Sequence, residues 1–421
     1  MSSARALSAA LAVTVLTAFT WPADSADGSP DHPGRQEPQW ALTALDAREA
    51  WRTTRGAGVT VAVLDTGVDA SHPDLAGAVV EGPDLTGTAR RRSLWGRHGT
   101  AMASVIAGRG HGGGRSPGVT GIAPAATVLS VRVALENHDP RRGRGRERGR
   151  DALARGIRYA ADHGARVISM SLGGGGGSWK GSAAEERAVR YALGRGAVLV
   201  ASSGNDGAGP NRRNFPAAYP GVIAVGAVDE RMRVTSFSNR QDYLSVVAPG
   251  SGILTADGPD SYVVGDGTSS AAALVAGVAA LVRAAFPELG PAEVRRAVER
   301  GTVHAPADGH DPAYGHGVVN AARALEEAAG IRRRPLRASA PRWTPPGPLV
   351  DAVLSRRAVC VLLVLLVLAL TVHRLTRRRS GTSGFPGPVS PPRPPVSPPY
   401  SGHSPDGQDP NRFRPRPWPV R

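Results

Sequence analysis

Cysteine occurs once in the 421 residues, at Cys360, and lysine once, at Lys180. A single thiol excludes an intrachain disulfide and any CxxC metal or redox site. Acidic residues are also short: 35 Asp and Glu face 51 Lys and Arg, a formal net charge of +16. That excess points first to nucleic acid. Its distribution points elsewhere, because residues 331–421 carry about +13 of it and residues 1–330 about +3. The globular part is nearly balanced, and a nucleic-acid partner is not expected. With 41% hydrophobic and 20% charged residues, wholesale disorder is excluded as well.

The two ends have their own signatures. Arg5 is followed by the apolar run 6–21 and small residues at Ala23, Ser25 and Ala26, the pattern of a secretory signal peptide over 1–26. A second apolar run, AVCVLLVLLVLALTV, spans 358–372. As a helix it reaches about 22 Å, short of the roughly 30 Å hydrocarbon core. Arg356 and Arg357 before it and Arg374, Arg377, Arg378 and Arg379 after it can snorkel to the headgroups. A transmembrane helix over 356–375 is therefore expected. The heavier Arg cluster behind it belongs in the cytoplasm by the positive-inside rule. Residues 380–421 hold 13 prolines and almost no aliphatic side chains, so they are expected to form a disordered or polyproline tail.

Between the ends, short apolar runs alternate with helical patterns. Residues 59–64, 127–133, 167–171, 197–201 and 222–228 read as strands buried on both faces. Residues 100–107, 150–163 and 183–194 read as helices. This rhythm predicts a three-layer α/β domain with a mostly parallel sheet. Its functional groups are then expected at the carboxyl ends of the strands.

Four elements fall at such places: Asp65-Thr66-Gly67 after the first strand, Arg97-His98-Gly99-Thr100 opening a helix, Ser203-Gly204-Asn205-Asp206 after a strand, and Gly267-Thr268-Ser269 entering the apolar helix 271–278. Each alone reads as a turn or a helix start. Together, Asp, His, Asn and Ser in this order resemble the subtilisin-like serine proteases over roughly 40–329. VAVLDTGVDASHPDL is similar to the family's aspartate block, HGTAMASVIAG to its histidine block and GTSSAAALVAG to its serine block. SMSLGG, SSGNDG and SVVAPG match segments between them.

The resemblance implies a subtilisin-like fold and peptide-bond hydrolysis, with protein or peptide as substrate. A serine hydroxyl needs a neighbouring base to become a nucleophile. By resemblance Ser269 is that nucleophile, His98 the base and Asp65 the group that orients it; Asn205 is the oxyanion donor. Ser171, Leu172 and Gly173 correspond to the edge that takes substrate as an added strand. Asp206 corresponds to the rim of the pocket for the residue before the scissile bond, and Asn214 to a place near its floor. A carboxylate at that rim favours a basic side chain; a broad apolar preference is the alternative. No metal or cofactor is implied.

Two departures matter. Ala273 stands where the family has proline, and the leader is too short for the family's folded prodomain. The short leader, QWALTALDAREAW entering the first strand, and the C-terminal anchor resemble the mycosins, membrane-anchored subtilases associated with type VII secretion. Mycosins often carry disulfides that this chain lacks.

The expected organisation is a signal peptide (1–26), a leader (27–39), a peptidase domain (40–330), an Arg/Pro-rich linker (331–355), the membrane helix (356–375) and a cytoplasmic tail (376–421). That places a single-pass protein in the cell membrane with its protease domain outside. The rival function is a structural component that stabilises a membrane secretion complex. A third class, nucleic-acid binding through the Arg-rich strip 139–150, lacks aromatic stacking platforms; a solvated loop is expected there.

Overall fold

The computed structural model describes residues 39–88, 96–111, 118–141, 151–173, 180–333 and 367–371. The expected signal peptide, nearly all of the leader, the linker beyond 333, the membrane helix except 367–371 and the tail lie outside the described residues. The chain divides into two units, Met1–Ser339 and Ala340–Arg421.

In the first unit, two short helices, α1 (Trp40–Ala44) and α2 (Ala47–Thr53), precede strand β1 (Thr60–Asp65). Then follow β2 (Val79–Asp84), α3 (Arg97–Ala107), β3 (Thr127–Arg132), α4 (Ala152–Asp162), β4 (Val167–Met170), α5 (Ala183–Gly194), β5 (Val198–Ser202), β6 (Ile223–Val228) and β7 (Val246–Pro249). A hairpin of β8 (Ile253–Ala256) and β9 (Tyr262–Gly265) leads into α6 (Thr268–Ala285). The unit ends with α7 (Pro291–Arg300), β10 (Thr302–Val303), β11 (Val318–Val319) and α8 (Ala321–Arg333).

Nine strands form one sheet in the order β10-β11-β7-β6-β5-β4-β1-β3-β2. Every pairing in it is parallel except β10 with β11. Alternation along β1 shows why the strands are apolar throughout. Val61 and Val63 enter the core shared with α3, α6, α7 and α8, while Ala62 and Leu64 enter the opposite core shared with α4 and α5. Side chains of period two thus serve two hydrophobic layers, and the three-layer architecture follows.

The expected strands and helices are present with ends shifted by no more than three residues, except that the apolar helix expected over 271–278 runs on to Ala285. α6 is the one helix among the described residues that is long and apolar enough to cross a membrane. It is buried instead, from Ser270 to Arg283, against both β5 and α3. The helix runs unbroken through Ala273. In the second unit, residues 367–371 are helical, with Val367, Leu368 and Leu370 exposed.

Of the strip 139–150, expected as a solvated loop, residues 139–141 are described and are irregular; Pro140 is exposed, whereas Asp139 is buried and its carboxylate accepts two bonds from the Arg141 guanidinium, at 2.9 and 2.6 Å. An acid two residues from a long guanidinium can fold it back onto itself, a local pairing that charge counting does not detect. Residues 142–150 lie outside the described part.

Candidate active site

Asp65 is the last residue of β1, and its carboxylate is fully buried. One oxygen, Oδ1, lies 2.7 Å from His98 Nδ1 and also accepts the Thr66 N–H at 2.7 Å. A buried carboxylate so placed favours the imidazole tautomer with its proton on Nδ1, which makes Nε2 the basic nitrogen. The first turn of α3 is brought this close by a glycine. A Cβ on Gly99 would stand 2.0 Å from the carbonyl oxygen of Gly67, so only glycine lets the helix approach the β1 end. Thr66 Oγ1 accepts the Gly99 N–H at 3.1 Å, and Glu136 Oε1 accepts the His98 N–H at 3.2 Å.

Ser269 is the second residue of α6, where backbone N–H groups have no partner inside the helix. Asn205 follows β5 and faces this helix start. Its Oδ1 accepts both the N–H of Thr268 at 2.9 Å and the Thr268 hydroxyl at 2.8 Å. A backbone N–H can only donate, so these bonds identify the amide oxygen and leave Nδ2 facing the other way. A point 3.4 Å from Asn205 Nδ2 is also 3.7 Å from Ser269 N and 4.0 Å from Ser269 Cβ, at the position of a Cβ on Gly267. The Asn205 amide nitrogen, the Ser269 nitrogen and the Ser269 Cβ therefore lie around one small region. Such an arrangement can hold the negative oxygen of a tetrahedral intermediate.

The segment after β4 completes the site. Ser171 donates its hydroxyl to the carbonyl of Ser269 at 2.9 Å, tying the strand end to the helix start. Leu172 and Gly173 continue from it. Asn214 lies beneath them, fully buried, and its Nδ2 donates to the carbonyls of Ser202 at 3.0 Å and Leu172 at 3.4 Å. A Cβ on Gly173, which has φ of 154°, would collide with the Asn214 amide at 2.2 Å. Asp206 sits beside Asn205 with its carboxylate turned into its own loop, where Oδ2 accepts the Arg212 N–H at 3.3 Å.

The profile of the subtilase family matches residues 56–317. The chain belongs to the subtilase family. It is 32% identical over 396 residues to mycosin-4 of Mycobacterium tuberculosis, covering 83% of this chain and 85% of that protein. It is 35% identical over 314 residues to fervidolysin of Fervidobacterium pennivorans, covering 68% of this chain but 43% of that longer protein. Among solved structures, MycP1 from the ESX-1 type VII secretion system matches with a TM-score of 0.56 and 29% identity, over 69% of this chain and 86% of that one. The chain is thus a subtilase-type serine protease related to the mycosins.

Several groups in this subtilase escaped sequence reasoning. Thr66 and Thr268 lie inside the recognised blocks, and their neighbours drew attention instead. Arg97 forms a two-pronged ion pair with Asp257 of the β8–β9 hairpin, at 2.7 and 2.5 Å. Glu136 lies in the loop after β3. Nothing local in the sequence marks either carboxylate, since each meets α3 only through folding.

Proposed function

We propose that this subtilase is a membrane-anchored, extracytoplasmic serine endopeptidase using Ser269, His98 and Asp65, with Asn205 in the oxyanion hole. The observation that carries this reading is the 2.7 Å pair between buried Asp65 and His98. In the proposed reaction Ser269 Oγ attacks the scissile carbonyl and its proton passes to His98 Nε2. The negative oxygen is held by Asn205 Nδ2 and the Ser269 N–H. His98 then protonates the leaving amine, and water releases the acyl group by the same steps. Asp65 stabilises the imidazolium throughout. Substrate lies along Ser171-Leu172-Gly173 as an added strand, with Asp206 and Asn214 bordering the pocket for the residue before the cleaved bond.

The organisation proposed is that read from the sequence: signal peptide 1–26, leader 27–39, peptidase domain 40–330, linker 331–355, membrane helix 356–375 and cytoplasmic tail 376–421. Exposed apolar Val367, Leu368 and Leu370 on a helical turn support the anchor. The likeness to mycosin-4 and to MycP1 supports association with type VII secretion machinery. Two measurements test this reading. Full-length protein in detergent is expected to cleave fluorescein-labelled casein, and Ser269→Ala to abolish cleavage without lowering the melting temperature. Protease added to intact spheroplasts is expected to digest the catalytic domain and spare an epitope after Arg421. Loss of the epitope with survival of the domain would reverse the topology.

A further inference from the structure

The first turn of α3 carries the proposed base but has no cap of its own. Its N-cap is Gly96, in a left-handed conformation with φ of 67°, and no side-chain cap bond is made there. Helix starts leave several N–H groups without intrahelical partners. Here the partners come from distant segments. Thr66 takes the N–H of Gly99, and Glu136, 38 residues further on, takes the N–H of His98 itself. Glu136 is 5% exposed, so its carboxylate is held in the interior rather than sampling solvent. The segment bearing it is fixed in turn, because the Glu136 carbonyl accepts the N–H of buried Asp139 at 3.0 Å.

We infer that Glu136 is a positioning residue for the proposed base: its carboxylate caps the His98 turn from outside the helix and adds a second negative charge behind the imidazole. The inference rests on the reading of His98 as the base. Asp65 fixes the ring through Nδ1, whereas Glu136 fixes the main chain that carries the ring. A carboxylate at a helix start is favoured by the helix dipole and by a charge-assisted N–H bond. Such a charge also favours the protonated form of a nearby imidazole.

Among the described residues, the other charged groups on the elements around His98 are these. Asp65 comes from the end of β1. Asp69, in the turn after it, has its carboxylate bonded to Ser71. Arg97 lies on the helix itself and is paired with Asp257 of the hairpin. The Asp257 carboxylate, with a smaller contribution from Glu136, holds the Arg97 guanidinium above its ordinary range. α6 packs against α3 but bears its one charged residue, Arg283, near its far end. Arg97 therefore offsets part of the Glu136 charge without removing its bond to the His98 N–H.

The test uses the full-length protein in detergent and a fluorophosphonate–rhodamine probe, whose second-order labelling rate is followed against pH. Labelling needs neutral His98, so the acid limb of the profile reports its protonation. Glu136→Gln keeps an acceptor and removes the charge; its acid limb is expected to move to lower pH by about 0.3–1 unit, with the plateau within about threefold. Glu136→Ala removes both, and its plateau is expected to fall about 5–20-fold, a loss that Gln restores. An unmoved acid limb in Glu136→Gln, or a plateau within twofold of wild type in Glu136→Ala, overturns the inference. Glu136→Gln is nearly isosteric, so its profile decides the matter even if the alanine variant does not fold. His98→Ala separates the two levels of the argument. If it labels as fast as wild type, the reading of His98 fails; if it is inert while both Glu136 variants match wild type, only the role of Glu136 fails.

Discussion

The two sides of the candidate site are built from different chemistry. On the β1–α3 side, buried carboxylates hold the histidine: Asp65 at the ring and Glu136 at the main chain. On the β5–α6 side, the bonds that shape the helix start come from neutral groups, Ser171 on the Ser269 carbonyl and the Asn205 amide locked by the N–H and hydroxyl of Thr268. The difference follows from what each side must stabilise. In the proposed mechanism the imidazole becomes a cation and gains from fixed negative charge, whereas the oxyanion needs well-placed hydrogen-bond donors, which Asn205 and the Ser269 N–H supply without charge. The β1–α3 side should therefore respond to charge and pH, and the β5–α6 side to geometry.

The strongest test of that contrast is Asp65→Asn. It preserves shape but removes the charge and the tautomer preference, and turnover is expected to fall about 10⁴-fold, the loss known for this change in a serine protease triad. Peptidase assays across pH would show the loss; activity within tenfold of wild type would remove Asp65 from the mechanism. Asn205→Ala should cost about 10²–10³-fold, the range measured for the corresponding donor in subtilisin, with an unshifted acid limb. A shifted limb there would break the comparison. Thr268→Val deletes one of two bonds to the Asn205 oxygen while its N–H bond remains, so about a tenfold loss in turnover is expected. KM should change little.

The charged side also makes a prediction about stability. The Arg141 guanidinium holds the buried Asp139 carboxyl down to about 2, from an ordinary value of 3.8. A depressed carboxylate stabilises the folded state above its unfolded value and loses that contribution as pH falls through the folded one. Asp139→Asn should therefore lower the melting temperature at neutral pH. Its difference from wild type should shrink between pH 4 and pH 2. The smallest effect is expected at the pocket rim. With its carboxylate turned toward the Arg212 N–H, Asp206 should favour a basic over an apolar residue before the scissile bond by no more than several-fold. A peptide-library profile of Asp206→Asn measures that ratio.

The contrast between the two sides also separates what was legible in the sequence from what was not. The Asp65, His98, Asn205 and Ser269 blocks are contiguous, because a strand end or helix start packs several special residues into a few positions. The central strands announce themselves by being apolar on both faces. β2 does not: it is the sheet edge, Val80 is half exposed, and VVEGPD has no clear period. The β8–β9 hairpin and the two-residue strands β10 and β11 are hidden by their length: β11 is fully buried, but two residues show no period. The polar supports were the least visible. Glu136 and Asp257 reach α3 across 38 and 160 residues, and Asp139 looked like one more charge in a solvated strip. Pairing at such distances is a property of the fold, and a single sequence holds no local mark of it.

The central claim is that Ser269, His98, Asp65 and Asn205 form one nucleophilic site. Peptide mapping by mass spectrometry after fluorophosphonate treatment of the full-length protein tests it most directly. The adduct is expected on Ser269 alone, to disappear in Ser269→Ala and to form far more slowly in His98→Ala. An adduct on another serine, or undiminished labelling of His98→Ala, would contradict the account.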